Sequence, residues 1–297
     1  MKHISFFFMK CLQDAAKRIP LGPGLALAAA FAPIKATAQD VGLGTANNFA
    51  VLAGSAITVA GAVNTTTING NIGSYPTPTI TGLGNVVLNG TNETGNAGLM
   101  LTAKNDLTTA YNTAAGLAPS SANDYTSFHG GNLGGQTLTP GVYFFSSTAQ
   151  LTGQLTLNDL GNPDAVFVFQ IGSSLITASG SSVVTINDPS PTTAGMSVFW
   201  QVTSSATLGT GTDFEGNILA NTSITDNGGS TVEGRLLAET GAVTLNDTVI
   251  DVPPAEVIGG GGGENVPDDS GTLLLLGFGM FGLLAFYGVK NNCRAIS

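Results

Sequence analysis

Between residues 140 and 251 the chain runs in short apolar bursts of four or five residues, each broken by Gly, Asn, Ser or Thr. Such bursts, bounded by turn-forming residues, read as short β-strands and not as helices. One block repeats: FEGNILA at 214–220 is echoed by VEGRLLA at 232–238, 18 residues later. Eighteen residues divide into three sides of about six, the length of a short strand with its corner. A chain that coils this way stacks each rung on the last at roughly 4.7–4.8 Å, so the pattern predicts a mostly β fold, a β-solenoid of triangular cross-section.

Sorting the strands by side gives three columns. The first holds VYFF (142–145), VFVFQ (166–170), VFWQV (198–202), NILA (217–220) and RLLA (235–238), apolar at both phases of the alternation and so in need of an outer cover. The third holds VVTI (183–186), DFEG (213–216), TVEG (231–234) and TVID (248–251), with Asp213, Glu215, Glu233 and Asp251 expected outward as a solvated acidic face. The second holds AQLTG (149–153), LITAS (175–179), ATLGT (206–210), SITDN (223–227) and AVTLN (242–246). Here Leu151, Ile176, Leu208, Ile224 and Val243 are expected inward and Thr152, Thr177, Thr207, Thr225 and Thr244 outward. Ser179, Thr210, Asn227 and Asn246 lie near them, and Asp226 is the only charge expected on or beside this flat side. One segment departs from the β pattern. Over 93–115, Ala97, Met100, Leu101, Leu107, Ala110, Tyr111 and Ala114 recur at helical spacing, which predicts one long helix lying over the first column.

The two ends read as addresses. Residues 1–38 carry Lys2, Lys10, Lys17 and Arg18, then an apolar stretch at 25–31 and Ala36-Thr37-Ala38, a secretory signal cut by signal peptidase between Ala38 and Gln39. The domain is expected at 39–256, with a glycine-rich linker over 257–265. The tail, 266–297, opens on Val266, Pro267, Asp268, Asp269, Ser270 and Gly271, runs through an apolar stretch at 272–289 long enough to span a bilayer, and closes with Lys290 and Arg294. This ending resembles the VPDSG-CTERM and PEP-CTERM sorting tails, with VPDDSG where the motif has VPDSG. The resemblance implies an exported protein, initially anchored by its C-terminal segment at the cell envelope, and processing by an exosortase-like protease.

Charge narrows the function classes. Only 9% of the 297 residues are charged and the net charge is −10. From 40 to 256 the only Lys or Arg residues are Lys104 and Arg235, too few to neutralise a nucleic-acid backbone. Both cysteines, Cys11 and Cys293, lie in the end segments, so the domain has no thiol nucleophile, disulfide or cysteine metal site. His129 stands alone in SFHGGNLGG, and GLGTAN at 42–47 leads into a strand pattern and not into a helix, unlike a phosphate loop. Asp213 and Glu215 form a carboxylate pair with only Arg235 to assist, and a metal held with Glu233 is a weaker reading than an exposed face. No enzyme, cofactor or metal is expected.

The blocks FAVLAGSAITVAG (49–61), INGNIG (68–73), LTPGVYFF (138–145), AVFVFQIGSSL (165–175), VFWQVTSSATLGTGTDFEGNILA (198–220) and GRLLAETGAVTLND (234–247) resemble, in order, the ice-binding-like family. The resemblance spans 41–251. It implies a discontinuous right-handed β-solenoid in which N- and C-terminal segments share the stack, with one long flanking α-helix. It also implies an ice-binding face carrying degenerate T-A/G-x-T/N elements, of which Thr177-Ala178 and Thr152-Gly153 keep the first half. The candidate contacts are therefore Thr152, Thr177, Ser179, Thr207, Thr210, Thr225, Asn227, Thr244 and Asn246. The partner is an ice crystal surface, or a surface glycan if the chain is instead an envelope-anchored adhesin or matrix protein. Threonine also fills the solvent side of ordinary sheets; the contrast with the acidic column favours a binding face.

Overall fold

Bursts too short and too β-branched for helix become strands, and the strands pair in parallel across successive coils. The computed structural model describes residues 41–119, 123–125, 128–189 and 197–252. The leader with Ala38 and Gln39, the glycine linker, the sorting motif with Val266 to Gly271 and the apolar tail all lie outside them. No helix among the described residues is long and apolar enough to cross a membrane.

The strands form three columns, every ladder parallel. Column one stacks β8 (Gly141–Phe145), β11 (Phe167–Ile171), β14 (Val198–Val202), the later halves of β16 (Asp213–Ala220) and β18 (Thr231–Ala238), β1 (Phe49–Ala53) and β4 (Asn71–Ser74). Column two stacks β9 (Ala149–Leu151), β12 (Leu175–Thr177), β15 (Ala206–Leu208), β17 (Ile224–Asp226), β19 (Val243–Asn246), β2 (Ile57–Ala60) and β5 (Ile80–Thr81). Column three stacks β7 (Thr137–Leu138), β10 (Gln154–Asn158), β13 (Ser182–Ile186), the earlier halves of β16 and β18, β20 (Val249–Asp251), β3 (Thr66–Asn69) and β6 (Val86–Leu88). Chain order breaks once. The N-terminal strands β1, β2 and β3 stack on β18, β19 and β20, so the first coils of the sequence extend the last ones.

β16 and β18 turn the corner between columns three and one without interruption, at Gly216 (φ 120°) and Gly234 (φ 144°). Only glycine adopts those angles without strain. A Cβ on Gly216 would also lie 2.6 Å from Nε1 of Trp200, and one on Gly234 2.2 Å from the Gly216 carbonyl oxygen. Inside the stack, Tyr143, Phe169, Trp200 and Phe214 lie ring against ring, Phe169 and Trp200 with centroids 3.9 Å apart and planes 8° from parallel. These rings and the aliphatic residues facing them form one continuous core along the stack.

The helix α1 (Ala97–Gly116) begins after Asn96, whose side chain accepts from the Leu99 amide at 3.3 Å. It starts later than the apolar pattern implies and covers column one as expected: Met100, Ala103, Leu107, Ala110 and Ala114 pack on Phe49, Leu52, Val168, Phe199, Leu219 and Leu237. Leu101, expected on the buried stripe, is exposed, while Lys104 is buried there. Its Nζ donates to the carbonyls of Ala238 and Glu239, both at 2.7 Å, and lies 3.7 Å from the Glu239 carboxylate. Burial pulls the Lys104 pKa down to about 8. At the other end, Gln170 donates to the carbonyls of Ala114 and Leu117 at 2.7 Å, satisfying acceptors that the last helical turn leaves open.

Candidate functional site

Column two is the candidate surface. Its strands are three or four residues long apart from the two-residue β5, and each begins with an inward residue: Ala149, Leu175, Ala206, Ile224 and Val243 are fully buried. Alternation then turns the next residue out. Following the registers from rung to rung, these outward residues are Gln150, Ile176, Thr207, Thr225, Thr244, Thr58 and Thr81. Five threonines therefore stand on consecutive rungs with nothing between them. Parallel pairing in register places them at a common spacing of roughly 4.8 Å. β-branching restricts each χ1, so each side chain presents its hydroxyl and methyl from a stiff stem.

The rank is flanked on both sides by small or neutral residues. On the entry side the backbone carbonyls of Ser174, Ser205, Ser223, Ala242, Ala56 and Thr79 accept from the next rung's amides at 2.9–3.2 Å. On the exit side stand Asn227, Asn246 and Ala60, with Asn246 in register with Ala60. No outward position on these strands carries a charge.

Thr207, Thr225 and Thr244 thus sit together, at the positions expected of them, and Leu151, Leu208, Ile224 and Val243 point inward as expected. The expectation for β12 is corrected. Leu175 and not Ile176 points inward, so Ile176 is 45% exposed and Thr177 only 3%. Two apolar neighbours, Leu175 and Ile176, left the phase of the alternation open, and a one-residue slip exchanges the faces. Thr177 is satisfied inside: its hydroxyl meets that of Thr212 at 2.8 Å and accepts from the Gly209 amide at 2.8 Å. Asp226 is also corrected, since it lies inward at 2% exposure and leaves the face uncharged. Thr152 is exposed just past the end of β9, its amide bonded to Asn132 at 3.0 Å. Ser179 and Thr210 are exposed in the corner turns, Asn227 is exposed and Asn246 half-buried at the exit edge. Thr58, Thr81 and Ile176 were missed as outward members. AITVAG (56–61) and TIT (79–81) carry the alternation, but no local pattern tells which coil they join.

Column three differs in charge. Glu215, Glu233 and Asp251 lie in register on three successive rungs, followed by Asn69. Burial, with Glu233 and Asp213 nearby, pushes the Glu215 pKa up to about 6, and burial also raises Glu233. Thr185 donates to Glu215, and Asn69 to Asp251. Among the described residues, no group of three or more His, Cys, Asp or Glu side chains is placed to hold a metal. Arg235 does not assist these carboxylates. Buried on column one beneath 44–48, it donates to the Asn47 carbonyl at 3.0 Å and to Asn217 Oδ1 at 2.9 Å.

The chain is 47% identical to the ice-binding protein of Nostoc sp. (strain HG1) over 248 residues, 82% of this chain and 84% of that protein. It is 38% identical to the ice-binding protein of Colwellia sp over 229 residues, 72% and 84% of the two chains. Among solved structures it superposes on an ice-binding protein from an Antarctic biological consortium with a TM-score of 0.65 and 41% identity, covering 72% of this chain and 92% of that one. A glycosylated ice-binding protein from Arctic yeast gives a TM-score of 0.63 at 31% identity, covering 73% and 96%. Residues 51–251 match the ice-binding-like family, and the chain belongs to it.

Proposed function

We propose that the chain is an ice-binding protein that adsorbs to ice through column two, and that its three columns close a discontinuous right-handed β-solenoid of triangular cross-section. The observation that carries the reading is the unbroken rank Thr207, Thr225, Thr244, Thr58, Thr81 on an uncharged side. Each threonine offers a hydroxyl that holds a water and a methyl that limits freer hydration. On a rigid lattice with a rung spacing close to an ice repeat, the held waters already have the order of the crystal. The ordering cost is met when the protein folds and not at adsorption, and many weak contacts then act together. Asn227, Asn246 and Thr210 border this rank, and Ser179 and Thr152 lie at the edge of the two rungs before it; Thr177 has no part in the contact. The similarity to ice-binding proteins supports the same ligand. The reading needs no catalytic group or cofactor.

The leader cut after Ala38, and a tail handled by an exosortase-like protease, would export the protein and hold it first at the membrane and then at the envelope or outside. Intact mass of the native protein tests this; residues persisting beyond Gly271 would exclude cleavage.

The functional test is to express residues 39–256 and measure thermal hysteresis and inhibition of ice recrystallisation beside Thr225→Tyr and Thr244→Tyr. Activity in the parent that is lost in both variants is expected. Activity that survives both would move the site off column two, and a folded but inactive parent would overturn ice as the ligand.

A further inference from the structure

Beneath the exit edge of column two runs a buried chain of hydrogen bonds whose members neither the core nor the outer face explains. At the inward position next to each outward residue, the rungs carry Leu151, Thr177, Leu208, Asp226, Leu245 and Val59. Four are apolar, and Asp226 is a carboxylate between two leucines, with 2% exposure. It accepts from the hydroxyls of Ser230 and Thr248 and from the Gly228 amide at 3.2 Å. Ser230 opens the third-column half of the same coil, while Thr248 belongs to the next coil, so one side chain ties two coils at their corner. The chain continues either way. The Thr248 amide donates to Thr66 at 3.3 Å and the Asn246 amide to Thr248 at 3.2 Å. On the other side the Ser230 hydroxyl lies 3.3 Å from the Gly209 carbonyl, to which Thr212 donates at 2.7 Å, and Thr212 meets Thr177.

A carboxylate in this position is costly to bury, and the neighbouring rungs fill the equivalent position with leucine. Stability alone therefore does not account for it. What it adds is direction: the Gly228 amide and the two hydroxyls converge on one residue, and that residue lies between Thr225 and Asn227, both on the face. We infer that Asp226 is a positioning residue, which holds Thr225, Asn227 and, through Thr248, Asn246 in the attitude that the ice face requires. The inference rests on column two being that face. Asp226 touches no ice; it acts by clamping the turn at which the flat side ends.

The test compares the full chain with Asp226→Leu/Ser230→Ala and with Asp226→Asn. The double variant removes the clamp while restoring the leucine pattern of the neighbouring rungs. It is expected to keep the parent's circular dichroism spectrum, with a melting temperature lower by about a few degrees because the Thr248 hydroxyl and the Gly228 amide lose their acceptor. Amide hydrogen exchange at 225–229 and 246–248 should quicken by about tenfold while other rungs stay unchanged. Thermal hysteresis at equal concentration should fall by about half or more, and Asp226→Asn, which keeps one acceptor oxygen, should fall between. Unchanged exchange at these amides would overturn the inference. So would a loss of activity that merely follows a lowered melting temperature with exchange raised on every rung. A parent without hysteresis would defeat the reading of the face, whereas exchange at 225–229 would still judge whether Asp226 is the clamp.

Discussion

Columns two and three are built from alternating strands of the same coils, all paired in parallel, around one core. On one, the outward rank is Thr207, Thr225, Thr244, Thr58 and Thr81; on the other it is Glu215, Glu233, Asp251 and Asn69. The backbone lattice is therefore not what makes a face suited to ice, because both sides possess it. Outward chemistry decides. Carboxylates hold their own hydration shells tightly and repel one another along the rungs, whereas threonines impose on water only a hydroxyl position and a methyl boundary.

The largest effect should come from breaking what both faces share. Trp200→Ala opens the aromatic stack at its most closely packed contact and should cost about 3–5 kcal/mol, read as a lowered denaturation midpoint, with both sides disordered together. Carrying the chemistry of column three onto column two comes next. Thr225→Glu should abolish thermal hysteresis while stability changes by no more than about 0.5 kcal/mol, since the site is on the surface. Retained hysteresis would mean that charge does not separate the faces.

Acidification separates the columns differently. Glu215 binds a proton at about pH 6 in the folded chain, above its ordinary 4.5. The folded state therefore holds more protons between those values, so stability should rise as pH falls from about 6 to about 4.5, opposite to the usual acid response. Melting temperatures across that window check the sign, and Glu215→Gln should lessen the rise, leaving the share of Asp159, which burial also raises to about 6, while hysteresis stays unchanged. The reciprocal graft, Glu233→Thr, should leave hysteresis intact and, by relieving repulsion with Glu215 and Asp251, stabilise by about 0.5 kcal/mol. The smallest expected change is a gain. Ile176→Thr lengthens the rank from five threonines to six, and hysteresis should increase modestly at equal concentration.

Much of this was legible without coordinates. The 18-residue echo revealed the parallel stacking of β16 on β18, the doubly apolar bursts revealed the column that needs a cover, and helical spacing over 93–115 supplied the cover. Outward Thr207 and Thr244 followed from single-phase alternation, because each lies between two small or apolar residues, and outward Thr225 followed from Ile224 before it. These features are local, and period-two or period-3.6 burial is written directly in neighbouring residues.

Three things needed the folded chain. The phase of Leu175-Ile176-Thr177 was ambiguous, and only registration against Ala149, Leu151 and Ala206 turned Ile176 out and Thr177 in. Asp226 reads as a surface charge until Ser230 and Thr248, 4 and 22 residues away, come round to bond it. Most far-reaching is the stacking of β2 on β19, which brings Thr58 beside Thr244 and completes the rank of five. The sequence by itself determined which residues alternate and which faces are apolar, because those follow from neighbours along the chain. Which rungs become neighbours in space was decided by tertiary structure alone, because edge strands of equal pattern are interchangeable until the whole core is packed.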